Sequence, residues 1–140
     1  MIIKFSKTYF ILFILLLITE VLIALFAHDE IIRPYIGDLL VVILMYCCVK
    51  SFLNFRAIPV ALSVLTFSYL IESLQYFQIV QILGLSNSAI ANVIIGNYFS
   101  WIDILAYTLG TILIMAIEKL RRFHTRHSIN YKYNTIWLFL

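Results

Sequence analysis

The sequence predicts an all-α, polytopic membrane protein, a four-helix transmembrane bundle with both termini in the cytoplasm (N-in/C-in). Three observations support this prediction: a high apolar content, four apolar segments long enough to cross a bilayer, and an uneven distribution of basic residues. Hydrophobic residues make up 64% of the chain and charged residues 12%, and the mean hydropathy is +1.02. A soluble domain is about half apolar and about a quarter charged. Lipid must therefore cover much of this apolar surface.

The first predicted span covers residues 8–27 and follows Lys4 and Lys7. It is long enough to cross the hydrocarbon core, and Glu20 is its only ionisable residue. A cleaved signal peptide is the alternative, because the two lysines resemble the basic start of such a segment. The glutamate interrupts the apolar run, however, and bulky Leu25 lies where a cleavage site requires a small residue. These features favour a membrane span.

The second and third predicted spans cover residues 36–52 and 57–79. Asp38 is predicted to lie in the first turn of the second span. Pro59 is expected in the first turn of the third helix, where its missing N–H group has no intrahelical partner to lose. Gly84 is the predicted end of that helix, since glycine is common just after a helix C-terminus.

The fourth predicted span covers residues 101–117, with Asp103 in its first turn. The stretch before it is too rich in glycine and asparagine to cross a membrane, and we expect a short interfacial helix over 89–95. The chain is thus predicted to consist of a transmembrane domain, residues 1–120, and a basic and aromatic cytoplasmic tail, residues 121–140. The aromatic residues of the tail are expected to lie in the lipid interface.

The predicted orientation depends on the basic residues. Four spans leave Arg33 alone on one side and place the other nine of the ten Lys and Arg residues on the opposite side. The positive-inside rule makes the rich side cytoplasmic. The small net charge of +3 is therefore interpreted as a topology signal, and no nucleic-acid partner is expected. The nine residues are Lys4, Lys7, Lys50, Arg56, Lys119, Arg121, Arg122, Arg126 and Lys132.

Four carboxylates are predicted to lie at similar depth in the outer half of the membrane. At about 1.5 Å per residue, Glu20, Asp38, Glu72 and Asp103 fall roughly 4–12 Å below the outer boundary. An ionisable side chain is costly in hydrocarbon, so such residues usually face a bundle interior or water. Four of them from four helices therefore predict a shared polar site.

Each carboxylate also has a structural interpretation. Asp38 and Asp103 could cap the N-termini of their helices, where free N–H groups and the helix dipole favour a negative charge. Glu72 and Gln75 could form hydrogen bonds that hold helices together, with Glu20 as a neutral partner. The residues alone leave these alternatives open.

Three stretches together resemble a known group of proteins: residues 32–38 (IRPYIGD), 72–75 (ESLQ) and 103–110 (DILAYTLG). They are similar to a family of small bacterial membrane proteins classed as a domain of unknown function. More distantly they resemble the VanZ-like group, whose namesake is associated with resistance to the glycopeptide teicoplanin. The similarity covers about residues 5–120 and implies a location in the bacterial cytoplasmic (inner) membrane. The family pattern falls on Arg33, Gly37, Asp38, Glu72, Gln75, Asp103 and Gly110.

Tyr107 stands where the VanZ pattern usually has an asparagine, which favours the uncharacterised family over a shared VanZ activity. Gly110, one turn further along the same face, is predicted to let another helix approach closely.

The first functional hypothesis is a site that binds or processes an envelope lipid head group or a cationic ligand. Glu72 and Asp103 are the predicted catalytic residues, with Glu72 as acid/base or cation-binding group. The predicted binding residues are Glu20, Arg33, Asp38, Gln75 and Tyr107. Neither a nucleophile–base pair nor a metal-binding triad is recognisable, so no metal and no cofactor is predicted, and the residues do not decide whether the protein is an enzyme.

Two other functions are compatible with the sequence. A proton- or cation-coupled carrier would be a homo-oligomer, because four short helices make a narrow path. The inner half of each predicted span lacks ionisable residues apart from Lys50, whereas a carrier usually needs a route through both halves. A structural or accessory subunit would use the polar layer only for helix association. Membrane lipids are the expected partners in every case.

Overall fold

The structure is a computed structural model that describes the backbone of residues 3–26, 32–84 and 99–137 and the side chains of 3–26, 35–84 and 99–123. Four helices in these ranges are long and apolar enough to cross a membrane. The all-α class and the four candidate spans are thereby confirmed, whereas the predicted interfacial helix over 89–95 lies outside the described residues. The helices are α1 (Lys7–Phe26), α2 (Ile32–Phe52), α3 (Ala57–Tyr76), the single turn α4 (Ile79–Ile82) and α5 (Trp101–Trp137).

Helix α2 begins earlier than the sequence suggests. It starts at Ile32, so its first turn contains no acidic residue, and Asp38 lies in the second turn. The prediction that Asp38 lies in the first turn is wrong. The span was predicted to start where the apolar run begins, but the helix already begins in the more polar residues before it. At this position the backbone N–H already has an intrahelical acceptor. An N-terminal capping role for Asp38 is therefore excluded.

Helix α3 ends before the predicted Gly84. Phe77 closes the helix, and Gln78 adopts a left-handed conformation with φ 50°. The chain then forms the short α4, and Gly84, with φ 67°, ends that turn. A left-handed residue breaks the α-helical hydrogen-bond pattern, so the polypeptide changes direction at Gln78.

Helix α5 continues well beyond the predicted end of the fourth span. The apolar window in the described side chains is Trp101–Phe123, and the helical backbone runs to Trp137. The basic run after Ile117 therefore continues the same helix. A change from apolar to charged residues marks a membrane boundary, and it does not by itself end a helix.

Helices α2, α3 and α5 pack against one another, and α1 packs mainly against α2. No residue of α1 is buried, so most of its surface is left for lipid. The short segment before α1 runs antiparallel to the end of α2, with Lys4 N donating to Phe52 O at 3.2 Å and Ser6 N to Ser51 O at 2.8 Å. The buried apolar core consists of Val42, Tyr46, Cys47, Ala57, Val60, Ala61, Val64, Tyr107 and Ile114.

Helices α2 and α5 approach each other closely at Gly110. A Cβ atom built on this glycine would lie 2.9 Å from the backbone oxygen of Leu39. Real Cβ atoms essentially never come this close to a neighbour, so only glycine permits the observed distance between α2 and α5. The prediction of close helix packing at Gly110 is confirmed.

Candidate functional site

Glu72 is the most buried ionisable residue in the described part of the chain, with 1% of its surface exposed. Its Oε1 atom accepts a hydrogen bond from the backbone N–H of Ser100 at 2.6 Å. Its Oε2 atom is also buried and has no hydrogen-bond partner among the described residues. Most buried polar groups in proteins are hydrogen-bonded, so an unpartnered carboxylate oxygen indicates a site that is completed by something else.

Asp38, Asp103 and Tyr107 lie next to Glu72. The Tyr107 hydroxyl donates a long hydrogen bond of 3.4 Å to Asp38 Oδ1. Asp38 interacts electrostatically with both Asp103 and Glu72, and Asp103 interacts with Glu72. We call these four residues the acidic cluster. It joins one carboxylate from each of α2, α3 and α5, with the tyrosine supplying a hydroxyl group.

The two aspartates differ from Glu72 in exposure. Asp38 and Asp103 are each half-buried, whereas Glu72 is fully buried. The acidic cluster is therefore open on the side of the aspartates and closed around the glutamate. Asp103 lies in the first turn of α5, so a capping contribution from this residue is compatible with its position.

Glu20 occupies a separate place between α1 and α2. Its Oε2 atom lies 3.7 Å from the position of a Cβ atom built on Gly37, and its buried Oε1 has no hydrogen-bond partner among the residues described. Gly37 precedes Asp38 in the chain, so Glu20 is a neighbour of the acidic cluster.

The remaining predicted binding residues are Gln75 and Arg33. Gln75 is half-buried and lies about one turn from Glu72 on α3. Arg33 belongs to the first turn of α2, but its side chain lies outside the described residues. The structure thus brings together Asp38, Glu72, Asp103 and Tyr107. The functional roles assigned to all seven residues remain predictions.

Two further contacts fix α3 against α5 near the acidic cluster. The hydroxyl groups of Tyr69 and Thr108 are hydrogen-bonded at 2.6 Å. Towards the end of α3, the Tyr76 ring lies edge-on to Phe99 with 5.2 Å between ring centroids, and Phe99 lies edge-on to Trp101 at 5.0 Å. These contacts hold the two helices in register on both sides of Glu72.

A second polar group, which the sequence did not predict, lies at the other end of the helices. The Tyr9 hydroxyl donates to Glu118 Oε1, and Arg121 Nη1 donates to the Tyr9 hydroxyl at 2.9 Å. Arg121 and Glu118 also form an ion pair at 3.5 Å, and Lys50 Nζ lies 5.3 Å from the centroid of the Tyr9 ring. We call Tyr9, Glu118 and Arg121 the basic-end cluster.

The sequence contained a usable signal for this cluster. Glu118 and Arg121 are three residues apart, a spacing that places both on one face of a helix. The fourth span is predicted to end at residue 117, which leaves Glu118 just outside it. The longer α5 instead places it within the candidate span Trp101–Phe123.

An apolar layer separates the two clusters. Val42 and Ala61 are completely buried, and Val64 and Ile114 are each 4% exposed. Val42 lies one turn from Asp38 along α2, and Ile114 lies one turn from Glu118 along α5. Val42, Ala61, Val64 and Ile114 all belong to the buried core that lies between the two clusters.

The acidic cluster offers carboxylate oxygens from three helices, and no basic side chain in the described ranges forms an ion pair with them. Within those ranges, no three His, Cys, Asp or Glu side chains converge on a point that could hold a metal ion.

Comparison with known proteins gives a family assignment. Residues 27–111, which include α2, α3 and the first part of α5, match the family described as "Protein of unknown function (DUF2809)". Comparison with curated proteins and with solved structures found no match. The matched residues make up more than half of the chain and include the whole acidic cluster. This chain is therefore a member of the DUF2809 family.

Proposed function

We propose that this protein is a VanZ-like integral membrane protein of the bacterial cytoplasmic membrane that binds the ammonium group of a lipid head group at the acidic cluster. The observation that carries the proposal is the fully buried Glu72, whose Oε2 has no partner among the described residues. Burying a carboxylate oxygen that has no hydrogen-bond partner costs free energy. A ligand that donates hydrogen bonds and carries positive charge would remove this cost.

The neighbouring residues support the same ligand class. The half-buried Asp38 and Asp103 give a positively charged group a path from the surface towards Glu72, and the Tyr107 hydroxyl adds a polar contact. Like charges held close together in a membrane repel one another, and a bound cation relieves that repulsion. If the ligand is also processed, Glu72 and Asp103 are the groups placed to exchange protons with it.

The proposed orientation puts the acidic cluster in the outer half of the bilayer and both termini in the cytoplasm. It follows from the distribution of Lys and Arg, nine of which lie on one side of the four spans and one on the other. A C-terminal fusion to green fluorescent protein is expected to be fluorescent, and the matching fusion to alkaline phosphatase is expected to be inactive. The reverse pattern would place the acidic cluster in the inner half.

The binding proposal is tested with Glu72→Gln. Wild-type protein in nanodiscs of mixed phosphatidylethanolamine and phosphatidylglycerol is analysed by native mass spectrometry, and bound phosphatidylethanolamine is counted. A hydrogen bond to a charged group contributes about 1.5–3 kcal/mol, so Glu72→Gln should lower phosphatidylethanolamine binding by about ten- to hundredfold. Glu118→Gln, which alters a carboxylate at the opposite end, is the control and should leave this binding unchanged.

A second variant keeps the test decisive if Glu72→Gln does not fold. Asp38 is half-buried, so Asp38→Asn should preserve the fold and still weaken phosphatidylethanolamine binding. The proposal is wrong if the folded variants of Glu72 and Asp38 retain the lipid as wild type does.

A structural role is the second candidate, and one contact favours it. Glu72 Oε1 accepts the Ser100 N–H at 2.6 Å and so ties α3 to the residue before α5. A glutamine can still accept this bond through its amide oxygen. Unchanged stability and unchanged lipid binding in Glu72→Gln would together support the structural role. A carrier is supported less, because the apolar layer around Val42 and Ala61 separates the two clusters.

A further inference from the structure

A groove lies between the first turn of α3 and the middle of α5, at the same end of the helices as the basic-end cluster. Its volume is about 450 Å³. Its floor is apolar and includes Ile58, Ile112, Met115 and Ala116. All four belong to candidate membrane spans, so the floor lies at a depth where acyl chains surround the protein.

The mouth of this groove carries positive charge. Lys119 and Arg122 line it and are exposed. Glu118 also lines the groove, but its carboxylate is already engaged by Arg121 and by the Tyr9 hydroxyl. The two remaining cations are therefore not neutralised by the one acid beside them.

The N-terminus of α3 opens into the same groove and adds to the positive potential. Ala57, the first residue of α3, lines the groove, and no side chain caps the helix at Arg56. The first N–H groups of a helix have no intrahelical acceptor, and they attract anions together with the helix dipole. Lys119 and Arg122 of α5 and the N-terminus of α3 thus all contribute positive potential to the same groove.

We propose that this groove binds one anionic phospholipid from the surrounding bilayer, with its phosphate held by Lys119, Arg122 and the N-terminus of α3 and an acyl chain along the apolar floor. The apolar floor and the positively charged mouth together indicate which ligand binds. A free phosphate would not use the apolar floor, and a zwitterionic lipid would gain less from two cations. The site lies at the opposite end of the helices from the acidic cluster, so it does not depend on the function proposed there.

The test compares wild type with Lys119→Gln/Arg122→Gln in nanodiscs of mixed phosphatidylglycerol and phosphatidylethanolamine. Native mass spectrometry counts the phosphatidylglycerol that stays bound. Each basic residue near a membrane surface is expected to strengthen anionic-lipid binding by about fivefold, so the double variant should bind phosphatidylglycerol about 25-fold less tightly. Binding of phosphatidylethanolamine at the acidic cluster should be unchanged.

The matched control is Lys4→Gln/Lys7→Gln, which removes two positive charges from the same end of the protein but outside the groove. It should retain phosphatidylglycerol binding. Equal loss in both double variants would show that the lipid responds only to diffuse surface charge and would overturn the proposal. So would full retention in Lys119→Gln/Arg122→Gln.

Filling the floor gives an independent test. Ala116→Trp should lower phosphatidylglycerol binding without changing any charge, whereas Ala24→Trp, at an exposed position of α1, should not. Millimolar glycerol phosphate should fail to displace the lipid, because it lacks the acyl chain. Displacement by glycerol phosphate, or wild-type binding in Ala116→Trp, would show that the groove is not a phospholipid site.

Discussion

The close contact at Gly110 leads to a quantitative prediction, because Gly37 provides a matched control in the same structure. In Gly110→Ala, the new Cβ atom would lie 2.9 Å from the Leu39 backbone oxygen, and 3.5 Å from the Val42 Cβ atom. In Gly37→Ala, the nearest atom would be Glu20 Oε2 at 3.7 Å, an ordinary contact with the end of a flexible side chain. Both glycines are buried and helical.

The difference in the free energy of unfolding between Gly110→Ala and Gly37→Ala measures the destabilisation caused by the contact with the Leu39 oxygen. Alanine favours a helix over glycine by about 1 kcal/mol, and this gain is common to both substitutions. The contact in Gly110→Ala involves a backbone oxygen of α2, so it can be relieved only by moving α2 and α5 apart. Overpacking of this kind costs about 1–3 kcal/mol. We therefore expect Gly110→Ala to be less stable than Gly37→Ala by about 1–3 kcal/mol.

The assay is reversible unfolding in detergent micelles titrated with sodium dodecyl sulfate, followed by circular dichroism. Gly37→Ala should unfold at the same or a higher fraction of sodium dodecyl sulfate than wild type, and Gly110→Ala at a lower fraction. Because Leu39 adjoins Asp38, Gly110→Ala should also weaken ligand binding at the acidic cluster. Equal midpoints for the two variants would refute the close approach of α2 and α5.

Two further predictions concern α3 and the chain that follows it. Tyr69→Phe removes the hydroxyl bonded to Thr108 and should lower the free energy of unfolding by about 0.6–1.7 kcal/mol, whereas Ser63→Ala, which loses only a bond to its own helix, should change it little. Gln78→Gly should raise the free energy of unfolding by about 1 kcal/mol, because glycine adopts a positive φ without strain, while Gln81→Gly within the helical turn should lower it. The same unfolding titration measures all four variants, and a destabilised Gln78→Gly would contradict the assigned backbone conformation.

The four candidate spans and the residues of the acidic cluster were predictable because each has a strong local signal. Long apolar runs predict spans, and a carboxylate within such a run is rare enough to be noticed. Placing Asp38, Glu72 and Asp103 at one depth required only the rise per residue and alternating helix directions. The structure also places these three close enough to influence one another electrostatically, which depth alone could not establish.

The helix ends were less predictable, since hydropathy reports where lipid begins and ends. Nothing in the sequence around Gln78 indicates a left-handed backbone conformation. Glycine is common at helix ends, so the helix was predicted to end at Gly84. The charged residues after Ile117 suggested a tail, although a helix can continue from lipid into water without interruption.

The positions of Glu20 and Glu118 depend on packing that the sequence does not encode locally. Glu20 was predicted to share a site with the other carboxylates, and the packing of α1 mainly against α2 places it beside Gly37. The side chain of Glu118, just after the predicted end of the fourth span, is only 14% exposed and is paired with Arg121. Both outcomes are decided by which helices are neighbours.

The peripheral position of α1 has a consequence for biogenesis. This helix buries no residue and precedes the segment that matches the family, while Lys4 lies just before it and Lys7 is its first residue. Basic residues beside an apolar helix bias that end of the helix towards the cytoplasm during membrane insertion. We therefore expect α1 to contribute more to the direction of membrane insertion than to the packing of the helices.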